Sequence, residues 1–69
     1  MFGPEFIYQL RSRGFVRDLN NGFYDGRYRI FVTPQRWEII GFSGFVIEEG
    51  TFNTGTYTFF STVDHVRFP

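Results

Sequence analysis

The chain of 69 residues has no cysteine, no lysine and no alanine, and a single histidine, His65. Lack of cysteine excludes disulfides, and one histidine without thiolates makes a structural zinc site an unsuitable expectation. Lack of lysine removes Schiff-base chemistry and leaves arginine to supply all seven basic residues. Seven acidic residues balance them, giving a formal net charge of zero. That balance argues against a protein that grips duplex nucleic acid through its phosphates, and equally against an acidic DNA mimic. The longest apolar stretch without a charge, Ile39 to Ile47, is far shorter than the ~20 residues a spanning helix needs. The first residues, Met-Phe-Gly-Pro-Glu, lack the basic and apolar regions of a signal peptide. These absences lead to the expectation of a cytoplasmic protein with no membrane contact.

Aromatic rings are abundant: 11 Phe, 4 Tyr and 1 Trp. The length permits one domain, residues 1–69, and a domain this small buries only about 60% of the surface its unfolded chain exposes. Its stability must then come from an apolar core or from self-association. One helix on one sheet cannot enclose so many rings. Some must line a second face, a loop tip or a subunit contact. Arginine suits such a surface, because guanidinium is planar, weakly hydrated and stacks on aromatic faces.

Only the first segment reads as helix. Pro4 fits the first helical position and Glu5 the positive end of the helix dipole; Phe6, Ile7 and Leu10 share one side, and Gly14 is a natural stop. Beyond it the signals are those of strands and turns. Phe15 to Leu19 is a weak strand, and residues 20–26 read as a loop displaying Phe23 and Tyr24, with a short hairpin at Asn21-Gly22 as the alternative. Arg27 to Thr33 is a strong strand, followed by a turn at Pro34-Gln35. Arg36 to Glu48 reads as one long strand bent at Gly41 or Gly44. Residues 49–55 form a loop with Phe52 near its tip. Thr56 to Val63 is the last clear strand, and residues 65–68 add a short edge.

Alternation tests this layout. A turn centred on Pro34-Gln35 pairs Val32 with Trp37 and Ile30 with Ile39, so the row Tyr28, Ile30, Val32 and the row Trp37, Ile39, Phe45, Ile47 fall on one side. The fold predicted is α+β: a short N-terminal helix on a bent antiparallel meander of four to five strands, with partial closure into a barrel as one variant. The opposite face mixes Arg27, Arg29, Phe31, Arg36, Glu38, Ile40, Phe42, Val46, Thr58 and Phe60. Arg29 is expected opposite Ile40, Arg27 opposite Phe42, and Glu38 diagonal to Arg29 as an exposed ion pair. Three roles compete for this face: the inside of a barrel, a homodimer contact, or a surface held for a different molecule.

Motifs for chemistry are missing. There is no phosphate loop before a helix, and Ser43 lacks the Gly-x-Ser-x-Gly setting. Asp64 and His65 would point to opposite faces of an extended segment, which leaves His65 a poor general base. Glu48 and Glu49 at a turn, even with Asp64, lack a full calcium-loop pattern; no metal, cofactor or catalytic residue is expected. Asp18 and Asp25 are explained by turns.

The reading is therefore a small non-enzymatic interaction module. It binds a macromolecular partner, a protein in the first instance, through Tyr24, Arg27, Arg29, Phe31, Phe42, Phe52 and Phe60, with a homodimer as one variant. Its size suits a phage or mobile-element inhibitor of a host enzyme, acting in the host cytoplasm. The alternative is a single-stranded nucleic-acid-binding protein that stacks bases on the same arginine and aromatic face.

Overall fold

The computed structural model describes residues 3–19, 22–53 and 55–69. Helix α1 (Pro4–Ser12) begins with proline in its first turn beside Glu5, ends with Arg11 in its last, and buries Phe6 and Leu10. Each charge lies at the end of the helix where the macrodipole favours it. Five antiparallel strands follow: β1 (Val16–Arg17), β2 (Gly22–Tyr24), β3 (Arg29–Val32), β4 (Arg36–Ile40) and β5 (Val46–Thr51). They are hydrogen-bonded in chain order, and a second helix, α2 (Tyr57–Arg67), closes the chain.

The turn at Pro34-Gln35 fixes the register of the central hairpin. Thr33 N–H donates to the Arg36 carbonyl at 2.8 Å, and the Thr33 hydroxyl accepts from Arg36 N–H at 3.1 Å. Val32 therefore pairs with Trp37, Ile30 with Ile39 and Arg29 with Ile40, as the alternation predicts. Phe23, Ile30 and Ile39 form one row on the core face; Val32 and Trp37 form the next. Gly50 stands opposite Trp37, where a Cβ would lie only 2.5 Å from the indole, so the ring needs the missing side chain.

Both helices lie on this one face. Phe6 stacks on Phe59 at 5.5 Å between centroids, and Phe59 meets Trp37 at 5.4 Å. Leu10, Phe15 and Val63 complete the same cluster. Arginines tie its rim. Arg13 donates two hydrogen bonds to Asp64, at 2.6 and 3.0 Å, joining the end of α1 to α2. Arg67 pairs with the buried Asp25 at 3.2 Å, and the Asp25 carboxylate also accepts the N–H groups of Arg27 and Tyr28.

Several expectations need correction. The sheet is open and not a barrel: helix α2, unforeseen in the sequence, joins α1 on the core face, and the opposite face does not turn inward. Residues 57–67 are helix and not strand: Phe59 and Val63, four apart, both reach the core, and Val66 continues the stripe. The weak β preference of Thr, Tyr, Phe and Val yields to that packing. The short edge at residues 65–68 is the end of the same helix. Residues 36–48 are not one bent strand. The chain reverses at residues 41–45, with Gly41 N–H donating to the Phe45 carbonyl at 2.9 Å and Gly44 at φ +91°. Strand β5 then runs on through residues 49–51, the start of the stretch read as a loop. Residues 22–24 are a strand with Phe23 buried, as in the hairpin alternative, whereas Asn20 and Asn21 lie outside the described residues. Arg29 pairs with Asp18 at 2.8 Å and not with Glu38.

Candidate functional site

The face of the sheet turned away from the helices has no covering layer among the described residues. Its longest row runs Val16, Tyr24, Arg29, Ile40, Val46 across all five strands. A second row contains Gly22, Phe31, Glu38 and Glu49. Near the end of the first row, beside the β4–β5 turn, a shallow cleft of about 170 Å³ is lined by Tyr24, Arg27, Arg29, Ile40, Gly41, Phe42 and Gly44.

Local geometry explains how these side chains gather. Tyr24 and Arg29 are direct cross-strand partners, and the guanidinium lies 4.9 Å from the tyrosine ring centroid. Asp18, at the end of β1, fixes that guanidinium from the other side. Arg27 sits in the tight turn held by Asp25, with its guanidinium 5.7 Å from the Tyr28 ring. Among the described residues no carboxylate pairs with Arg27. Phe42 is 88% exposed at the β4–β5 turn and forms the far wall of the cleft. Arg27 and Phe42 are therefore not strand partners, since β3 begins at Arg29 and β4 ends at Ile40, but they line the same cleft.

Tyr24, Arg27, Arg29 and Phe42 are thus brought together. The other three residues singled out in the sequence lie elsewhere. Phe31 is half-buried on the outer face, its ring against the bare backbone of Gly22. Phe52 is not at a loop tip; it packs against Phe6 and Phe59. Phe60 belongs to α2, half-buried between Phe6, Phe59 and the guanidinium of Arg13. Both were misplaced by reading α2 and β5 as strand and loop.

Sequence reasoning passed over the tip of the β4–β5 hairpin. Phe45 and Ile47 were assigned with Trp37 to the core face, but Phe45 lies in the turn before β5 and Ile47 falls at the irregularity between the paired Val46 and Glu48. Phe45 is 74% exposed, with Ile47 and Val46 also exposed. Four large apolar residues within six positions, around Ser43 and Gly44, were the available signal.

A larger hollow of about 560 Å³ lies between the start of α1 and the start of α2, lined by Glu5, Phe6, Gln9, Tyr57 and Phe60 among others. His65 is exposed on α2, and its neighbour Asp64 is engaged by Arg13, which lowers the carboxyl pKa below its ordinary value. No helix among the described residues is long and apolar enough to cross a membrane. No protein-family model matches the chain, and no curated protein or solved structure is significantly similar to it.

Proposed function

We propose that this protein is a small non-enzymatic interaction module that meets a protein partner through the bare sheet face and the β4–β5 hairpin. The observation that carries the reading is the run of Phe42, Phe45, Val46 and Ile47, all exposed in one hairpin beside the arginine-rimmed cleft. Exposed apolar side chains gathered in one segment mark contact sites, and aromatic and arginine side chains are the usual anchors of protein interfaces.

A protein partner fits better than a nucleic-acid strand. Two of the three arginines on this side already have carboxylates, Arg29 with Asp18 and Arg36 with Glu49 at 2.6 Å. Glu38 shares the face. Phosphate binding needs cations that are not already neutralised, and Arg27 alone remains of the three.

A photoreactive phenylalanine analogue placed at position 42 or 45 tests the reading in the native cell. The expected result is a nuclease-resistant adduct to another protein, absent when the analogue stands at the equally exposed Tyr8 or Tyr57 on the helices. Equal labelling from all four positions, or none, would remove the proposal. An adduct lost on nuclease treatment would transfer the surface to single-stranded nucleic acid.

A further inference from the structure

We infer that, in the isolated protein, a second copy of this chain occupies the cleft, each Phe42 ring seating against Tyr24 and Arg27 of its partner. The inference rests on the contact-surface reading above and names one occupant of it.

Size is the first argument. A cavity of about 150 Å³ accommodates a benzene ring, and the cleft measures about 170 Å³. Its walls offer what a phenyl ring seeks: the Tyr24 ring, the Ile40 side chain, and two guanidinium groups able to lie on its face. The most exposed phenylalanine ring among the described residues is Phe42, at the rim of that same cleft. A protruding ring and a hollow of matching size side by side on one surface are the requirement for a two-fold, self-complementary contact.

Topology shows which two-fold axis works. Tyr24, Arg27 and Arg29 lie on the β2–β3 side of the cleft, while Ile40 and Phe42 lie on the β4 side, all toward the same end of the sheet. An axis parallel to the strands, passing between β3 and β4, keeps that end in place and exchanges the two sides. Phe42 of one copy is carried over Tyr24 and Arg27 of the other, and the reverse. The same operation sets the half bearing Asp18, Arg27 and Arg29 against the half bearing Arg36, Glu38 and Glu49, so the two charges not already paired within a copy, Arg27 and Glu38, lie on opposing halves. With zero net charge, no long-range repulsion opposes the approach. A standard interface takes about 800 Å² from each partner. That is roughly one sixth of the 4762 Å² surface of the chain, or about one side of a box-shaped domain.

The test is the solution mass by light scattering between about 1 µM and 1 mM, a span that covers weak and standard interfaces. The expected mass is twice the 8.2 kDa of the chain at the upper end. Phe42→Asp and Arg27→Glu should each return the single-chain mass, whereas Tyr57→Asp, on the exposed side of α2, should not. On dilution of the wild-type protein, ring NMR signals of Tyr24 and Phe42 should shift and those of Tyr8 and Tyr57 should stay. This second measurement needs no variant to fold. A single-chain mass throughout, a persisting dimer in Phe42→Asp, or shifts confined to the helix tyrosines would overturn the inference. A monomer that still forms adducts from position 45 would remove self-pairing alone and leave the contact-surface reading intact. A dimer with no other protein captured would do the opposite.

Discussion

Ile39 and Ile40 are neighbours in one strand with the same side chain, yet Ile39 is 1% exposed while Ile40 lines an open cleft. The same contrast runs through the whole sheet. On one face Phe23, Ile30 and Ile39 lie beneath two helices; on the other Tyr24, Arg29 and Ile40 have nothing above them among the described residues. Composition alone does not separate the faces, since each carries apolar side chains at the centre of the sheet. Among the described residues both helices lie on one side. What remains bare therefore mixes apolar side chains with Arg27, Arg29 and Glu38.

Substitutions on the two faces should behave oppositely, and the largest effect belongs to the covered one. Phe59 touches Phe6, Trp37, Phe52 and Phe60, so Phe59→Ala should cost about 3–5 kcal/mol. In a domain this small that abolishes the cooperative thermal transition seen by circular dichroism. A retained transition within a few degrees of the wild type would mean that α2 does not complete the core.

Gly50→Ala comes next. Its methyl group would collide with the Trp37 indole, and repacking should cost about 1–3 kcal/mol in urea unfolding. Arg67→Met tests the rim. It leaves Asp25, whose side chain is 6% exposed, without its cation. The loss should be about 2 kcal/mol, below the ~3–5 kcal/mol of a fully buried pair because Arg67 is itself partly in water.

A smaller effect is expected from Arg13 and Asp64, and it should depend on pH. The hydrogen bonds from Arg13 hold the Asp64 carboxyl below its ordinary pKa. A depressed folded value means that the pair stabilises the protein above the unfolded pKa of about 3.9 and loses that contribution as pH falls through the folded value. Arg13→Gln should therefore lower the melting temperature at neutral pH, by the equivalent of about 1 kcal/mol or less for a half-exposed carboxylate. The gap from the wild type should narrow as pH falls below that unfolded value and through the lower folded one. A gap independent of pH would show that Arg13 acts through its packing on Phe60 instead.

The smallest effect sharpens the contrast most. Phe42→Ala, on the bare side, should change monomer stability by no more than about 0.5 kcal/mol. A loss above ~2 kcal/mol would make Phe42 part of the core and erase the difference between the faces.

Much of this was legible in the chain. Pro4, Glu5 and the spacing of Phe6 and Leu10 marked α1, because capping and periodicity act within a few residues. The turn at Pro34-Gln35 fixed the pairing of Val32 with Trp37 and Ile30 with Ile39, because a tight turn sets register and register sets faces. From these local rules followed the antiparallel meander and the placing of Arg29 on the face opposite the core, whereas Tyr24 reads as a loop residue and lies in β2.

The C-terminal segment was not legible in this way. Thr56, Tyr57, Thr58, Phe59 and Phe60 favour a strand by type, while Phe59, Val63 and Val66 favour a helix by spacing, and the local preferences nearly cancel. The Phe6, Trp37 and Phe52 rings waiting for Phe59 tipped the balance. That choice in turn put Phe60 against the edge of the core, kept the sheet open and left Phe42 in water. Local sequence determined the first helix and the register of the central hairpin; the tertiary structure decided which face was covered, because burial is a property of what lies opposite a side chain and not of the side chain alone.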